Sequence, residues 1–250
     1  MIVLKTPAEL AIMDRANALV RATLQMLAEH VRAGVSTAEL DRLAEEFILA
    51  RGGKPAFKGY HGYPATLCTS VNDVIVHGIP SESCVLQEGD IISLDCGVVL
   101  DGYYGDAAVT LPVGQVSERA QRLLQVTREC LELAVEQVRP GRRLGDVSAT
   151  IQRHAEQAGY SVVREFVGHG IGRQLHEEPQ VCNFGVPGTG PELKPGLVLA
   201  IEPMVNEGKP GVRIAADGWT ARTEDGKLSA HFEYSVAVTE NGPWVLGMAR

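Results

Sequence analysis

The second half of this sequence repeats the first. Val-Arg-Ala-Gly at 31–34 and Val-Arg-Pro-Gly at 138–141 both join two helical segments, and they are offset by 107 residues. The same offset carries Leu40 to Val147, Gly52 to Gly159, Leu86 to Leu193 and Gly89 to Gly196. It also carries Asp95, in EGDIISLD, to Glu202, in PGLVLAIE. The matches are few but ordered, and each unit reads as two helices followed by strands. A duplication of that kind predicts a single α+β domain with pseudo-two-fold halves, roughly residues 7–112 and 113–250. Asp95 and Glu202 then fall at corresponding places, and a ligand is expected between the halves.

Local signals agree with this division. Thr6-Pro7-Ala8-Glu9 offers a capping box with proline at the first helical position, followed at helical spacing by Leu10, Met13, Ala16, Val20, Leu24 and Leu27. A second helix starts at Ser36-Thr37-Ala38-Glu39, carries Leu40, Leu43, Ala44, Phe47 and Ile48, and ends at Gly52-Gly53. Strands are expected from about residue 65 to 112, helices from about Ser117 to Val138 and from about Gly145 to Ala158, and further strands to the end.

The hairpin 92–109, ISLDCGVVLDGYYGDAAV, places three acids among apolar residues. Asp101-Gly102 is explained by the turn, since both residues accept positive φ. With 101 and 102 as a two-residue loop, Asp106 faces Gly97, and Asp95 lies diagonally from Asp106 on the same face. Either that face is solvated, or the two carboxylates share a cation, because neighbouring buried carboxylates cannot both stay charged alone. Glu202 ends an apolar strand, Glu233 lies within SAHFEYSVAV, and His169 sits between glycines in VGHGIGRQLHEEP. A lone strand acid is usually an edge or surface residue; three such strands are harder to dismiss. Asp95, Asp106, Glu202, Glu233 and His169 together offer oxygen-rich ligation with one imidazole. This suits two divalent ions of iron, manganese, cobalt or catalytic zinc, and not calcium or a structural zinc.

The chain has 250 residues, 45% of them hydrophobic and 22% charged, with a net charge of −8. The length suffices for a large core, and the acidity argues against nucleic acid or an anionic membrane as partner. No run of about 18 apolar residues suggests a membrane span. MIVLKTPAEL has no secretory pattern. The five cysteines, odd in number and without CxxC spacing, read as free thiols of a reducing, cytoplasmic compartment.

These residues carry a resemblance over nearly the whole chain. GYHGYPATLCTSVNDVIVHGIP (59–80), LDCGVVLDGYYGD (94–106), GHGIGRQLHEEP (168–179), IEPM (201–204) and HFEYSVAVTENG (231–242) resemble, in order and spacing, the motifs of bacterial type I methionine aminopeptidases. The resemblance implies the pita-bread fold: helices packed on a curved antiparallel sheet. It implies that Asp95, Asp106, His169, Glu202 and Glu233 ligate two metal ions, with Glu202 also moving the proton of the attacking water. His77 and His176 match the two catalytic histidines, His176 steadying the oxyanion and His77 contacting the scissile nitrogen. The alternative for each is a neutral histidine satisfied by a backbone carbonyl. Tyr60, Tyr63, Cys68 and Trp219 match the wall of the methionine pocket, with Phe57 and Leu175 at its rim. His30, His61, His154 and His231 receive no catalytic role. Asn72 and Val74 carbonyls with Ser229 resemble a monovalent-cation loop.

The implied activity is removal of the first methionine from deformylated nascent polypeptides whose second residue is small, by a monomeric enzyme that can contact the ribosome. Proline-specific peptidases of the same fold are the nearest rival, but carry a large extra N-terminal domain. A catalytically inactive binding protein of this fold is the rival from another class; such proteins lose ligands that are all kept here.

Overall fold

The computed structural model describes residues 1–249. The first unit opens with α1 (Pro7–Ala28) and α2 (Thr37–Leu49), followed by β1 (Lys54–Pro55), β2 (Leu67–Val71), β3 (Val74–Val76) and the long hairpin β4 (Ile91–Leu100) and β5 (Tyr103–Pro112). The second opens with α3 (Glu118–Glu136) and α4 (Leu144–Gln157). Shorter strands follow: β6 (Ser161–Val162), β7 (Gly168–Gly170), β8 (Glu177–Val181), β9 (Val198–Ile201) and β10 (Met204–Asn206). The chain then completes β11 (Val212–Ile214), β12 (Ala221–Thr223), β13 (Ser229–His231), β14 (Glu233–Thr239) and β15 (Gly242–Val245).

The helices begin where their caps predict. Thr6 and Glu9 close the reciprocal capping box of α1, and the Ser36 hydroxyl accepts the Glu39 N–H at 3.2 Å. The apolar stripe of α1, Leu10 to Leu27, is buried throughout. Each fully buried leucine of this kind contributes about 1.5–3 kcal/mol. Two cores result. One lies between α1, α2 and the hairpin; the other lies between α3, α4 and strands of the second unit. A third cluster, containing Met13, Tyr63, Tyr103, Leu175 and Val198, joins them.

Backbone bonds repeat at the same offset of 107 residues. The Gly34 N–H donates to the Leu86 carbonyl at 2.8 Å, and Gly141 donates to Leu193 at 3.2 Å. In return Leu86 donates to Val35 at 2.9 Å, and Leu193 to Arg142 at 2.8 Å. The isolated bridges Ser36–Val85 and Arg143–Glu192 obey the same relation. In both units the helix-joining turn is thus bolted to a buried leucine just ahead of a main strand.

The main sheet is antiparallel and nine-stranded, in the order β1-β4-β5-β14-β9-β7-β8, with β2 also on β4 and β15 also on β14. A small sheet, β11-β12-β3, stands apart from it, as does β13-β10-β6. Asp101 and Gly102 form the hairpin turn at φ 49° and 79°, and Gly97 pairs with Asp106. Among the described residues no helix is long and apolar enough to cross a membrane, and all five cysteines are free.

Candidate active site

Sheet register gathers the acids into two adjacent rows. Asp95 pairs with Ala108, and Ala108 pairs with Glu233, so strands β4, β5 and β14 place both acids in one row. In the next row, Asp106 lies opposite Gly97, and Ser235 one step beyond it donates its hydroxyl to the Asp106 carbonyl at 2.9 Å. Ser235 pairs with Ala200, and Ala200 with His169. Glu202 lies two residues beyond Ala200, on the same face. Between the donors stand only Gly97, Ala108, Ala200 and Ser235, so space is left above the sheet. Gly168 permits the close approach of β7, since a Cβ there would lie 2.3 Å from the Ala200 carbonyl.

The donors converge without satisfying one another. The His169 Nδ1 must donate to the Gly170 carbonyl at 3.0 Å, because a carbonyl only accepts. Its Nε2 therefore presents a lone pair, and it faces Glu202 Oε1 at 3.5 Å and Asp106 Oδ2 at 3.8 Å. Lone pairs aimed at lone pairs in a buried site are relieved only by a proton or a cation between them. Asp106, His169 and Glu233 offer atoms within 4.8 Å of one another, and all three residues are buried. Asp95 Oδ1, Asp106 Oδ1 and Glu233 Oε1 have no hydrogen-bond partner among the described residues. Burial raises the Asp95 carboxyl to about 7. Burial, then neighbouring acids, raises Asp106, Glu202 and Glu233 well above the carboxylate range. Burial lowers His169 to about 3, with His176 adding to the effect, so its imidazole is neutral. The donor set fits divalent cations, whose charge would return the four carboxyls to their ionised form and keep the His169 imidazole neutral.

Above the acids lies a cavity of about 300 Å³, lined by every residue expected from the sequence: Phe57, Tyr60, Tyr63, Cys68, His77, Leu175, His176 and Trp219 join the acids and His169. Leu175 and Phe57 are wall more than rim, 2% and 8% exposed. The Tyr63 hydroxyl lies within hydrogen-bonding distance of the Leu67 and Gly78 carbonyls, at 2.9 and 3.0 Å, and its ring meets Trp219 edge-on at 5.1 Å. Trp219 rides on the turn between β11 and β12, where the Asp217 carboxylate accepts its N–H and that of Thr220. His77 follows β3 in the left-handed region at φ 61°, and burial lowers it to about 4, with His176 also acting. The Tyr60 hydroxyl meets His176 Nδ1 at 2.7 Å, and the His169 and His176 rings are 4.3 Å apart. The Asn72 carbonyl accepts the Ser229 N–H at 2.9 Å.

Sequence reasoning passed over His231, Phe166 and Asn17. His231 is fully buried with Nε2 3.7 Å from Glu202 Oε2, while Thr110 accepts its N–H and donates to its carbonyl. Phe166 packs edge-on against His77 at 5.1 Å. Asn17 reaches from α1 to accept the Asp106 N–H at 3.2 Å. His231 precedes the Glu233 acid by two residues, which is the one sequence signal that could have singled it out.

Residues 11–240 match the family model described as Metallopeptidase family M24. The chain belongs to this family. It is 52% identical to methionine aminopeptidase 1 of Bacillus subtilis over 242 residues, covering 97% of each chain. It superposes on the crystal structure of methionine aminopeptidase from Thermotoga maritima with a TM-score of 0.98, at 48% identity and full coverage of both chains. A prolidase from Pyrococcus furiosus, 22% identical, shares the fold with a TM-score of 0.80, and this chain spans 66% of its length. The architecture is the pita-bread fold of M24, and within M24 the chain lies among the methionine aminopeptidases. As a family of metallopeptidases, M24 accounts for a buried donor cluster built for divalent cations.

Proposed function

We propose that this protein removes the N-terminal methionine from nascent polypeptides whose second residue is small, using divalent metal held by Asp95, Asp106, His169, Glu202 and Glu233. The observation that carries this reading is the convergence of a neutral His169 and four buried carboxylates, with orphaned oxygens, on the floor of an apolar-walled cavity. Two such ions, of manganese, iron, cobalt or zinc, would acidify an attacking water, polarise the scissile carbonyl and anchor the free α-amine.

The protein's own groups do the remaining work. Glu202 accepts the proton of the attacking water and passes it to the leaving amine. With the Tyr60 hydroxyl donating to Nδ1, His176 carries its proton on Nε2 and donates it toward the carbonyl oxygen as charge develops there. His77, kept neutral by burial, contacts the scissile nitrogen from the opposite wall. Tyr63, Cys68, Trp219 and Phe57 enclose the methionine side chain. A thioether against aromatic edges gains roughly 0.3–1.5 kcal/mol, and a charged side chain is excluded by desolvation.

The same reading takes the chain as one catalytic domain of two related halves, a monomer of the cytoplasm acting on deformylated chains, with a ribosome contact near the exit tunnel. A monovalent cation at the Asn72 and Val74 carbonyls and Ser229 belongs to it as well.

Cleavage of Met-Ala-Ser and Ala-Pro-Ala after dialysis against chelator tests the proposal, with manganese, cobalt, iron or zinc restored singly. Metal-dependent release of Met alone is expected. Release from Ala-Pro-Ala would move the assignment to proline-specific chemistry, and no release with any ion would sink the peptidase reading.

A further inference from the structure

The Lys5 ammonium and Glu177 carboxylate form an ion pair at 2.5 Å, and their side chains are only 3% and 11% exposed. Neither touches the cavity that holds the acids. Glu177 faces two ways. Its Oε2 takes the ammonium, while its Oε1 accepts the N–H groups of Arg173 at 2.8 Å and Gln174 at 3.2 Å. These are the backbone donors of the turn that leads into Leu175 and His176.

The turn also closes on itself, the Gly172 N–H donating to the Gln174 carbonyl at 3.1 Å, and Arg173 lies over the Tyr103 ring. Its bare side packs directly on the pair: a Cβ at Gly172 would lie 2.4 Å from Lys5 Cε and 2.6 Å from Glu177 Oε1. The Gly172 carbonyl accepts the Tyr104 N–H at 2.9 Å, which ties the turn to β5. Lys5 is itself anchored. Its N–H donates to the Gly196 carbonyl at 2.7 Å, and its ammonium to the Val3 carbonyl at 3.0 Å. The chain ahead of α1 is thereby fixed to the second unit, and Glu177 links it to the turn that leads into Leu175 and His176.

We propose that Lys5 is a positioning residue, which through Glu177 and the 172–174 turn holds Leu175 and His176 against the cavity. The proposal rests on the reading of His176 as the donor to the developing oxyanion. Removing the ammonium leaves a buried carboxylate uncompensated, and Glu177 then swings toward water and releases the two N–H groups. His176 keeps its Tyr60 partner but loses the backbone that aims it. A misplacement of about 1 Å at such a group costs up to roughly 100-fold in rate.

The test is steady-state cleavage of Met-Ala-Ser by the manganese-loaded enzyme carrying Lys5→Met, Lys5→Arg or Glu177→Gln, each also combined with His176→Ala. Arg15→Ala, which breaks an exposed pair between α1 and Asp101, is the control for loss of an ion pair as such. Lys5→Met is expected to lower kcat about tenfold with KM changed less than about twofold, and Lys5→Arg to recover part of the loss. In the His176→Ala background the same Lys5→Met change should have almost no further effect. Glu177→Gln keeps an acceptor for the turn and serves if Lys5→Met does not fold; its smaller loss of kcat must also vanish when His176 is absent. Wild-type kcat in both Lys5→Met and Glu177→Gln would overturn the proposal, as would a loss that multiplies undiminished through His176→Ala. Full activity of His176→Ala alone would instead remove the reading on which the proposal rests.

Discussion

The floor and the wall of the cavity follow opposite rules for their polar atoms. On the floor, Asp95, Asp106 and Glu233 each bury an oxygen without a hydrogen-bond partner, and His169 points a lone pair at carboxylates. Along the wall, the Tyr63 hydroxyl is satisfied by backbone carbonyls, Tyr60 meets His176, and the Trp219 backbone is held by Asp217. Unpaired buried carboxylates are too costly to persist unless a cation completes them. The floor is therefore shaped for charge it does not itself contain, and the wall for an uncharged side chain it must keep dry.

The sharpest way to break this contrast is Asp106→Asn. Removing one anionic donor should lower metal affinity and reduce kcat/KM by more than about 100-fold, the upper end of what losing even an outer partner of a metal ligand costs. Unchanged metal content by elemental analysis would take Asp106 out of the donor set.

A smaller effect separates the two states of the floor. In chelated protein, burial raises the Asp95 carboxyl from its ordinary 3.8 to about 7. The folded state then holds a proton that the unfolded state releases, so the contribution of Asp95 is present below about pH 4 and is lost as pH rises through about 7. Asp95→Asn should flatten that fall and raise the chelated protein's Tm at pH 8 by several degrees, each kcal/mol being worth about 2–4 °C in a chain of this size. His169, lowered by burial, gives an opposite slope, but it is common to both proteins and cancels in the comparison. With metal restored, the order of Tm should reverse. A mutant less stable than wild type in chelator at pH 8 would refute the unpaired floor.

The smallest expected effect lies on the wall. Trp219→Ala should leave metal content intact and relax discrimination between Met and a branched or charged first residue by roughly tenfold. Equal discrimination in wild type and variant would remove Trp219 from the pocket.

Much of this was legible in the chain. The cap at Thr6, the turn at Asp101-Gly102 and the facing of Gly97 and Asp106 follow from local chemistry, since propensity and register act over a few residues. The offset of 107 residues relates Asp95 to Glu202 in the sequence and recurs in the backbone bonds of the two helix-joining turns. The five candidate donors and most of the cavity-lining residues could be singled out because they stand in short motifs. His231, Asn17 and the Lys5–Glu177 pair were not, because their partners lie in distant segments and no spacing rule relates them.

By itself, then, the sequence determined the elements, the recurring offset and the kinds of donor available. Only the tertiary structure decided that Asp95, Ala108 and Glu233 share a row, that His169 turns its lone pair inward, and that Lys5 pairs with Glu177. The reason is range. Helix caps and hairpin turns are fixed by neighbours along the chain, whereas the satisfaction of a buried polar atom depends on whichever distant strand or loop packs against it.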